Sequence, residues 1–182
     1  TAFAQAYSRT PATLSEAGYP MGLGIPANTF TGLLLMSAIV FAICISISGL
    51  YADKIGRRKW LIWTTVSILI FALCMPLFLG NGTPTSVFAF LVIGMALMGM
   101  TFGPMAALLP ELFPTEVRYS GASLAYNIAS IIGATIAAMI SLKINALYGL
   151  MGVGIYLAIN AFLTLLALLA SKETKNVDLT QI

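Results

Sequence analysis

The sequence predicts an all-α membrane protein, and three observations carry the prediction. Charged residues make up 8% of the 182, where a soluble domain carries about 25%. Apolar residues make up 59% and gather into runs of about 20, the length needed to cross a hydrocarbon layer about 30 Å thick at about 1.5 Å per residue. The charges that do occur lie beside those runs. Seven of the nine Lys and Arg residues fall in three short segments at run ends, which is a pattern of membrane topology and not of a nucleic-acid-binding face.

Element by element, residues 1–26 read as the end of an earlier span, "TAFAQAYSRT", followed by a Pro/Gly-rich extracytoplasmic loop, "PATLSEAGYPMGLGIP". A helical bundle over residues 27–170 then offers five complete spans, at 28–50, 60–79, 85–109, 119–142 and 150–170. Trp60 and Trp63 begin the second span, at the headgroup level that indoles favour. "GNGTP", Gly80 to Pro84, is a turn by composition. In the third span Gly99, Gly103 and Pro104 form a hinge, because small residues admit close packing and Pro104 removes the bond its N–H would make to residue 100. The methionines around it, Met95, Met98, Met100 and Met105, read as adaptable packing and not as a metal path. Residues 171–182 form a short tail.

Orientation follows from counting cations. Lys54, Arg57, Arg58, Lys59, Arg118, Lys172 and Lys175 fall on one side, and Arg9 and Lys143 on the other. By the positive-inside rule the seven face the cytoplasm, together with the C-terminal tail. Cys44 and Cys74 sit inside apolar runs and the sequence has no histidine, so neither a metal site nor a bound cofactor is expected. A nucleophile with a base, a phosphate-binding loop and a metal cluster are all missing from the sequence pattern, and no enzymatic activity is expected. The chain opens on Thr1 without a charged leader region, and reads as a piece of something longer.

The stretch "SGLYADKIGRRKW", Ser48 to Trp60, holds five charges. Orientation alone explains its cations. It does not explain Gly49, Asp53 and Gly56, since Asp contributes little to topology and glycine nothing. Gly49 suits a close helix approach and Gly56 a positive φ in a tight turn. Asp53 suits either the first N–H groups of the next span or a cation across the turn.

Gly49-x-x-x-Asp53-Lys54-x-Gly56-x-Arg58-Lys59 resembles, position by position, the cytoplasmic loop motif of the major facilitator superfamily, G-x-x-x-D-[RK]-x-G-x-[RK]-[RK]. "PELFPTEVR", Pro110 to Arg118, is similar to the E-x-x-P-x-x-x-R loop between helices 10 and 11 of sugar-porter-like members, and places Glu111, Pro114 and Arg118 in it. "KETKNVDL", Lys172 to Leu179, resembles their "PETKG" tail, with Lys172 in place of the Pro and Asn176 in place of the Gly. "RYSGASLAY", from Arg118, looks like the metabolite:proton symporter branch, whose members carry organic acids, betaines and related solutes. That branch often has Gly-Gly and a Pro soon afterwards; Gly133-Ala134-Thr135-Ile136-Ala137 has neither, so a straighter helix 11 is expected.

The resemblance implies the C-terminal six-helix half of a twelve-helix transporter in the plasma or bacterial inner membrane, working by alternating access against an N-terminal half. The solute is then a small polar metabolite, an organic acid or betaine-like, with a proton as coupling ion. A sugar facilitator or proton-sugar symporter, and a non-transporting sensor on the same fold, remain alternatives. Asp53, Arg58, Glu111 and Arg118 are expected to form an interhelical latch, with Glu116 a weaker candidate. For the solute path, Ser123, Tyr126, Asn127 and Ser130 form one polar stripe, and Tyr156, Asn160 and Thr164 another. Pore lining and bonding between helices both remain open for each; the first stripe leans to lining, at Tyr126 and Asn127, and the second to bonding. No Asp, Glu or His falls at mid-membrane depth, so any proton site lies outside this segment.

Overall fold

A computed structural model describes residues 2–111 and 113–171, without the side chains of residues 134 and 135. The expected tail, with Lys172, Lys175 and the rest of "KETKNVDL", lies outside the described residues. Among the described residues regular structure is helical throughout, save an isolated bridge between Leu14 and Pro20. The helices are α1 (Ala2–Arg9), α2 (Ala27–Ile55), α3 (Arg57–Leu73), α4 (Met75–Leu79), α5 (Pro84–Glu111), α6 (Arg118–Ile131) and α7 (Ala137–Ala170), with a π-helical turn at Ile132–Ile136 between the last two. By length and composition α2, α5 and α7 are each able to cross a membrane. Large side chains such as Leu35, Ile39 and Met36 stand outward on α2, as they do where the surrounding solvent is lipid.

Proline and glycine explain where the helices break. Gly56 takes φ 112°, a conformation other residues rarely adopt, and so turns α2 into α3 within one residue. The second expected span, 60–79, is interrupted at Cys74, because Pro76 has no N–H to return to Ala72 and its ring crowds that carbonyl. Gly154 of α7 takes advantage of the break: a Cβ there would lie 2.6 Å from the Ala72 carbonyl oxygen. The helix after Ile131, expected to be straighter, passes through a π turn at Ile132–Ile136. Lack of a proline does not guarantee regularity, since one extra residue in a turn also shifts the backbone ladder.

Within α7, Gly149 has φ 67° and ψ −170° and divides an incoming arm from an outgoing one. The loop after α1 is strapped to this corner. Ser15 Oγ donates to the Ala146 carbonyl (2.7 Å), Asn145 Nδ2 donates to the Pro20 carbonyl (2.9 Å), and the Tyr19 ring covers Gly149, where a Cβ would meet Cδ1 at 2.6 Å. Gly149→Ala is therefore expected to lower the thermal unfolding midpoint of the full-length protein. Backbone at this φ and ψ is nearly exclusive to glycine and costs a residue with a Cβ about 1–3 kcal/mol, and displacement of Tyr19 adds to it. A midpoint equal to the parent's would show that the strap contributes no stability.

The tightest helix contact is between α2 and α5. At Gly99 a Cβ would lie 2.7 Å from the Phe41 carbonyl oxygen, and at Gly103 it would lie 2.8 Å from that of Ile45 and collide with Ser48 Oγ. Ser48 Oγ donates to the Gly99 carbonyl at 3.1 Å. Small residues on both helices bring the backbones together where apolar side chains gain nothing by leaving lipid. At the opposite end of the bundle from the charged turn, Tyr7, Phe30, Met75, Leu79, Leu91 and Val153 form a buried cluster.

Candidate functional site

The charged turn sits where α2, α3, α5 and α7 meet at one end of the bundle, and its centre is a residue that the sequence motif leaves unspecified. Arg57 Nε donates to Asp53 Oδ1 at 3.1 Å, back across the Gly56 turn. Its Nη1 donates across to Glu111 Oε1 at the end of α5. The two halves of this arrangement differ in setting. Asp53 is 64% exposed at its side chain, whereas Arg57 and Glu111 are 21% and 14% exposed. The Glu111 bond is therefore the stronger tie, since charge pairs gain most where water is excluded. Burial works against the Arg57 charge, but hydrogen bonding and attraction to Glu111, and then to Asp53, outweigh it and move its pKa up from an already high value.

Arg58 faces a different neighbour. Its Nε donates to the Leu168 carbonyl (2.7 Å) and its Nη2 to the Leu169 carbonyl (2.6 Å). These belong to the last turn of α7, whose carbonyls have no partners within the helix and carry the negative end of its dipole. Arg118 turns back on its own loop, with Nε 3.4 Å from the Phe113 carbonyl and Nη2 3.4 Å from Thr115 Oγ1. The expected foursome of Asp53, Arg58, Glu111 and Arg118 is thus rearranged: Arg57 joins Asp53 to Glu111, Arg58 holds α7, and Arg118 braces the loop containing Pro114. Lys54, Lys59 and Glu116 are exposed. A Cβ on Gly49 itself would meet nothing within 4 Å among the described residues, but α5 does approach closely at Gly49, whose backbone N lies 2.9 Å from where a Cβ on Gly103 would sit.

The signal for Arg57 was a cation beside the Gly56 turn: Asp53 and Arg57 lie on different helices, and the turn at Gly56 brings the first residue of α3 back against the last turn of α2.

Trp63 is 77% exposed. Trp60 instead is half-buried, and its Nε1 donates to the Met100 carbonyl of α5 at 3.0 Å, so its place is between helices and not at the lipid boundary.

Both polar stripes bond along their own helices. Asn127 Nδ2 donates to the Ser123 carbonyl (2.8 Å), Asn160 Nδ2 to the Tyr156 carbonyl (2.8 Å) and Thr164 Oγ1 to the Asn160 carbonyl (2.9 Å). Bonding between helices, expected of Tyr156, Asn160 and Thr164, is replaced by this local return to the backbone, which satisfies short polar side chains inside one helix. Asn160 and Thr164 border a cavity of about 470 Å³ between α3, α5 and α7. The hydroxyls of Thr65, Thr101 and Thr164 there are all spent on their own helices, so the cavity suits an apolar occupant. Ser123, Tyr126, Asn127 and Ser130 are exposed along α6. Tyr126 closes a second cavity, about 330 Å³, with Phe102, Met105 and Leu109 of α5.

Closely packed apolar helices, small-residue crossings and an ion-paired turn at one end define a polytopic integral membrane protein of the transporter-like helical class. The sequence profile described as "Sugar (and other) transporter" matches residues 22–182, and the chain belongs to that family, within the major facilitator superfamily, as part of one helical half. It is similar to a Haemophilus influenzae protein whose name assigns it provisionally to metabolite transport, with 85% identity over all of this chain and 42% of the relative. Inner membrane metabolite transport protein YhjE of Escherichia coli K12 is 53% identical over 92% of this chain and 38% of its own length. The proline/betaine transporter of Salmonella typhimurium is 31% identical over 80% of this chain and 29% of its own. The chain thus spans less than half the length of the curated relatives it matches. No solved structure matches it.

Proposed function

We propose that the full-length protein is a secondary active transporter of a small polar metabolite, an organic acid or betaine-like solute, working by alternating access in the bacterial inner membrane. This segment is read as most of the C-terminal half, with its charged end and C-terminus cytoplasmic and an N-terminal half as its partner. The observation that carries the reading is the turn centred on Arg57, which ties α2 and α3 to the end of α5 while Arg58 holds the end of α7. Breaking a few such charge-assisted bonds is enough to shift two states separated by a few kcal/mol.

The uncovered stripe of Ser123, Tyr126, Asn127 and Ser130 is proposed to line the solute path, with Gly99, Gly103 and Pro104 as the hinge beside it. Polar groups at this depth are stable when they face a cavity. Tyr126 makes no hydrogen bond among the described residues, leaving its hydroxyl for a ligand. The names of the relatives support a metabolite or betaine. Proton coupling is proposed from the resemblance to the symporter branch, with the titrating group outside this segment.

The test is uptake of labelled carboxylates, betaines and sugars by vesicles containing the full-length protein, with and without an inward proton gradient. Gradient-stimulated uptake of an acid or betaine is expected. Gradient-independent sugar uptake would make the protein a facilitator, and the lack of any uptake would favour a sensor.

A further inference from the structure

A proline inside a helix leaves a carbonyl one turn earlier without its donor. Pro104 lies within α5, so the carbonyl deprived of an N–H is that of Met100. That carbonyl accepts a hydrogen bond from Trp60 Nε1 at 3.0 Å. The carbonyl before it, Gly99, lies 3.1 Å from Ser48 Oγ and shares that hydroxyl's one proton with the Ile45 carbonyl at 3.0 Å. Two successive carbonyls upstream of the proline are therefore bonded from outside the helix, one by α2 and one by α3. Lipid supplies no hydrogen bonds, so an unpaired carbonyl at this position is strongly disfavoured, and the indole is what satisfies it. Trp60 also stacks on Tyr51 of α2, with ring centroids 5.9 Å apart and planes 20° from parallel. It lies three residues beyond Arg57, in the first turn of the same helix.

We infer that Trp60 is a positioning residue for the proline-containing turn of α5: its indole N–H replaces the bond that Pro104 cannot make, so the ion-paired turn and this part of α5 move as one body. A displacement of the first turn of α3, such as release of Arg57 from Glu111 would permit, pulls on the Met100 carbonyl and is transmitted to the part of α5 that borders Tyr126. The link to solute movement rests on the transporter reading; the bond and its effect on α5 do not.

The experiment is a double-mutant cycle in the full-length protein in lipid nanodiscs. Trp60→Phe keeps an aromatic ring against Tyr51 and removes only the donor. Pro104→Ala restores an N–H to the Met100 carbonyl from within the helix. Hydrogen–deuterium exchange of the peptide covering residues 97–105 is the readout, with uptake measured in parallel. Trp60→Phe is expected to speed exchange by about three- to tenfold, the range for one hydrogen bond lost, and to lower the maximal uptake rate. In the Pro104→Ala background the same substitution is expected to change exchange less than twofold, because the carbonyl then has its own donor. Equal effects in the two backgrounds, or none in either, would overturn the inference. If Trp60→Phe does not fold, the indole N–H resonance decides, assigned with Trp63→Phe. A protected signal in the parent that moves in Pro104→Ala supports the bond, and a rapidly exchanging one refutes it. Altered exchange without any uptake in the parent would leave Trp60 in place and remove the transport reading instead.

Discussion

Arg57→Gln is expected to reduce uptake at least tenfold, and Asp53→Asn far less, although the motif specifies Asp53 and passes over Arg57. Magnitudes decide between them. The Asp53 contact crosses the Gly56 turn to a carboxylate that is 64% exposed, a setting in which ion pairs are worth about 0.2–1 kcal/mol. The Glu111 contact joins two helices with both side chains mostly buried, and Glu111 Oε2 is buried with no hydrogen-bond partner among the described residues. Removing one member of a buried pair strands the other charge, at about 3–5 kcal/mol, which is comparable to the whole gap between two transport states. Glu111→Gln, which removes the stranded charge, is expected to recover part of the loss when combined with Arg57→Gln. Initial uptake rates at matched expression measure all three variants. Equal rates for Arg57→Gln and Asp53→Asn would show that the interhelical bond is not what the turn is for.

The contrast also shows which features the sequence expresses. Membrane helices were legible because their cause is local: about 20 apolar residues in a row admit few other solutions in lipid. The turn at Gly56 was legible for the same reason, since the conformation is set by one residue. Partnerships across the bundle were not. Whether Arg57 or Arg58 reaches Glu111 depends on the rotation of α3 about its axis, and neighbouring residues on a helix point about 100° apart. Trp60 shows a further limit. Pro104 announced an unbonded carbonyl, but its donor lies some forty positions away, on a helix whose depth relative to α5 is fixed by packing. The break at Cys74 needed only Pro76 to be weighed against the apolar run around it, and the π turn after Ile131 contains Gly133 but no proline.

Two glycines on either side of one crossing are expected to respond to alanine in different ways. Gly103→Ala places a Cβ against Ser48 Oγ, 2.8 Å from the Ile45 carbonyl oxygen and 2.9 Å from Gly49 N. Two of those neighbours are backbone, so relief requires α2 and α5 to separate. Overpacking of this kind costs about 1–3 kcal/mol, and here it also strains the Ser48 bond to Gly99. Both the thermal midpoint and the uptake rate are expected to fall. Gly49→Ala adds a Cβ that meets nothing among the described residues, yet Gly49 lies on α2 beside the charged turn, and the relatives have more than half their length beyond what this chain matches. Its Cβ is opposed only when another part of the full-length protein closes on that face. Uptake is therefore expected to slow while the midpoint in detergent stays near the parent's, because a conformation-dependent clash penalises one state of the cycle and spares the other. A Gly49→Ala protein with normal uptake would mean that nothing closes there, and Gly49 would drop out of the proposed latch without bearing on Arg57, Glu111 and Arg58.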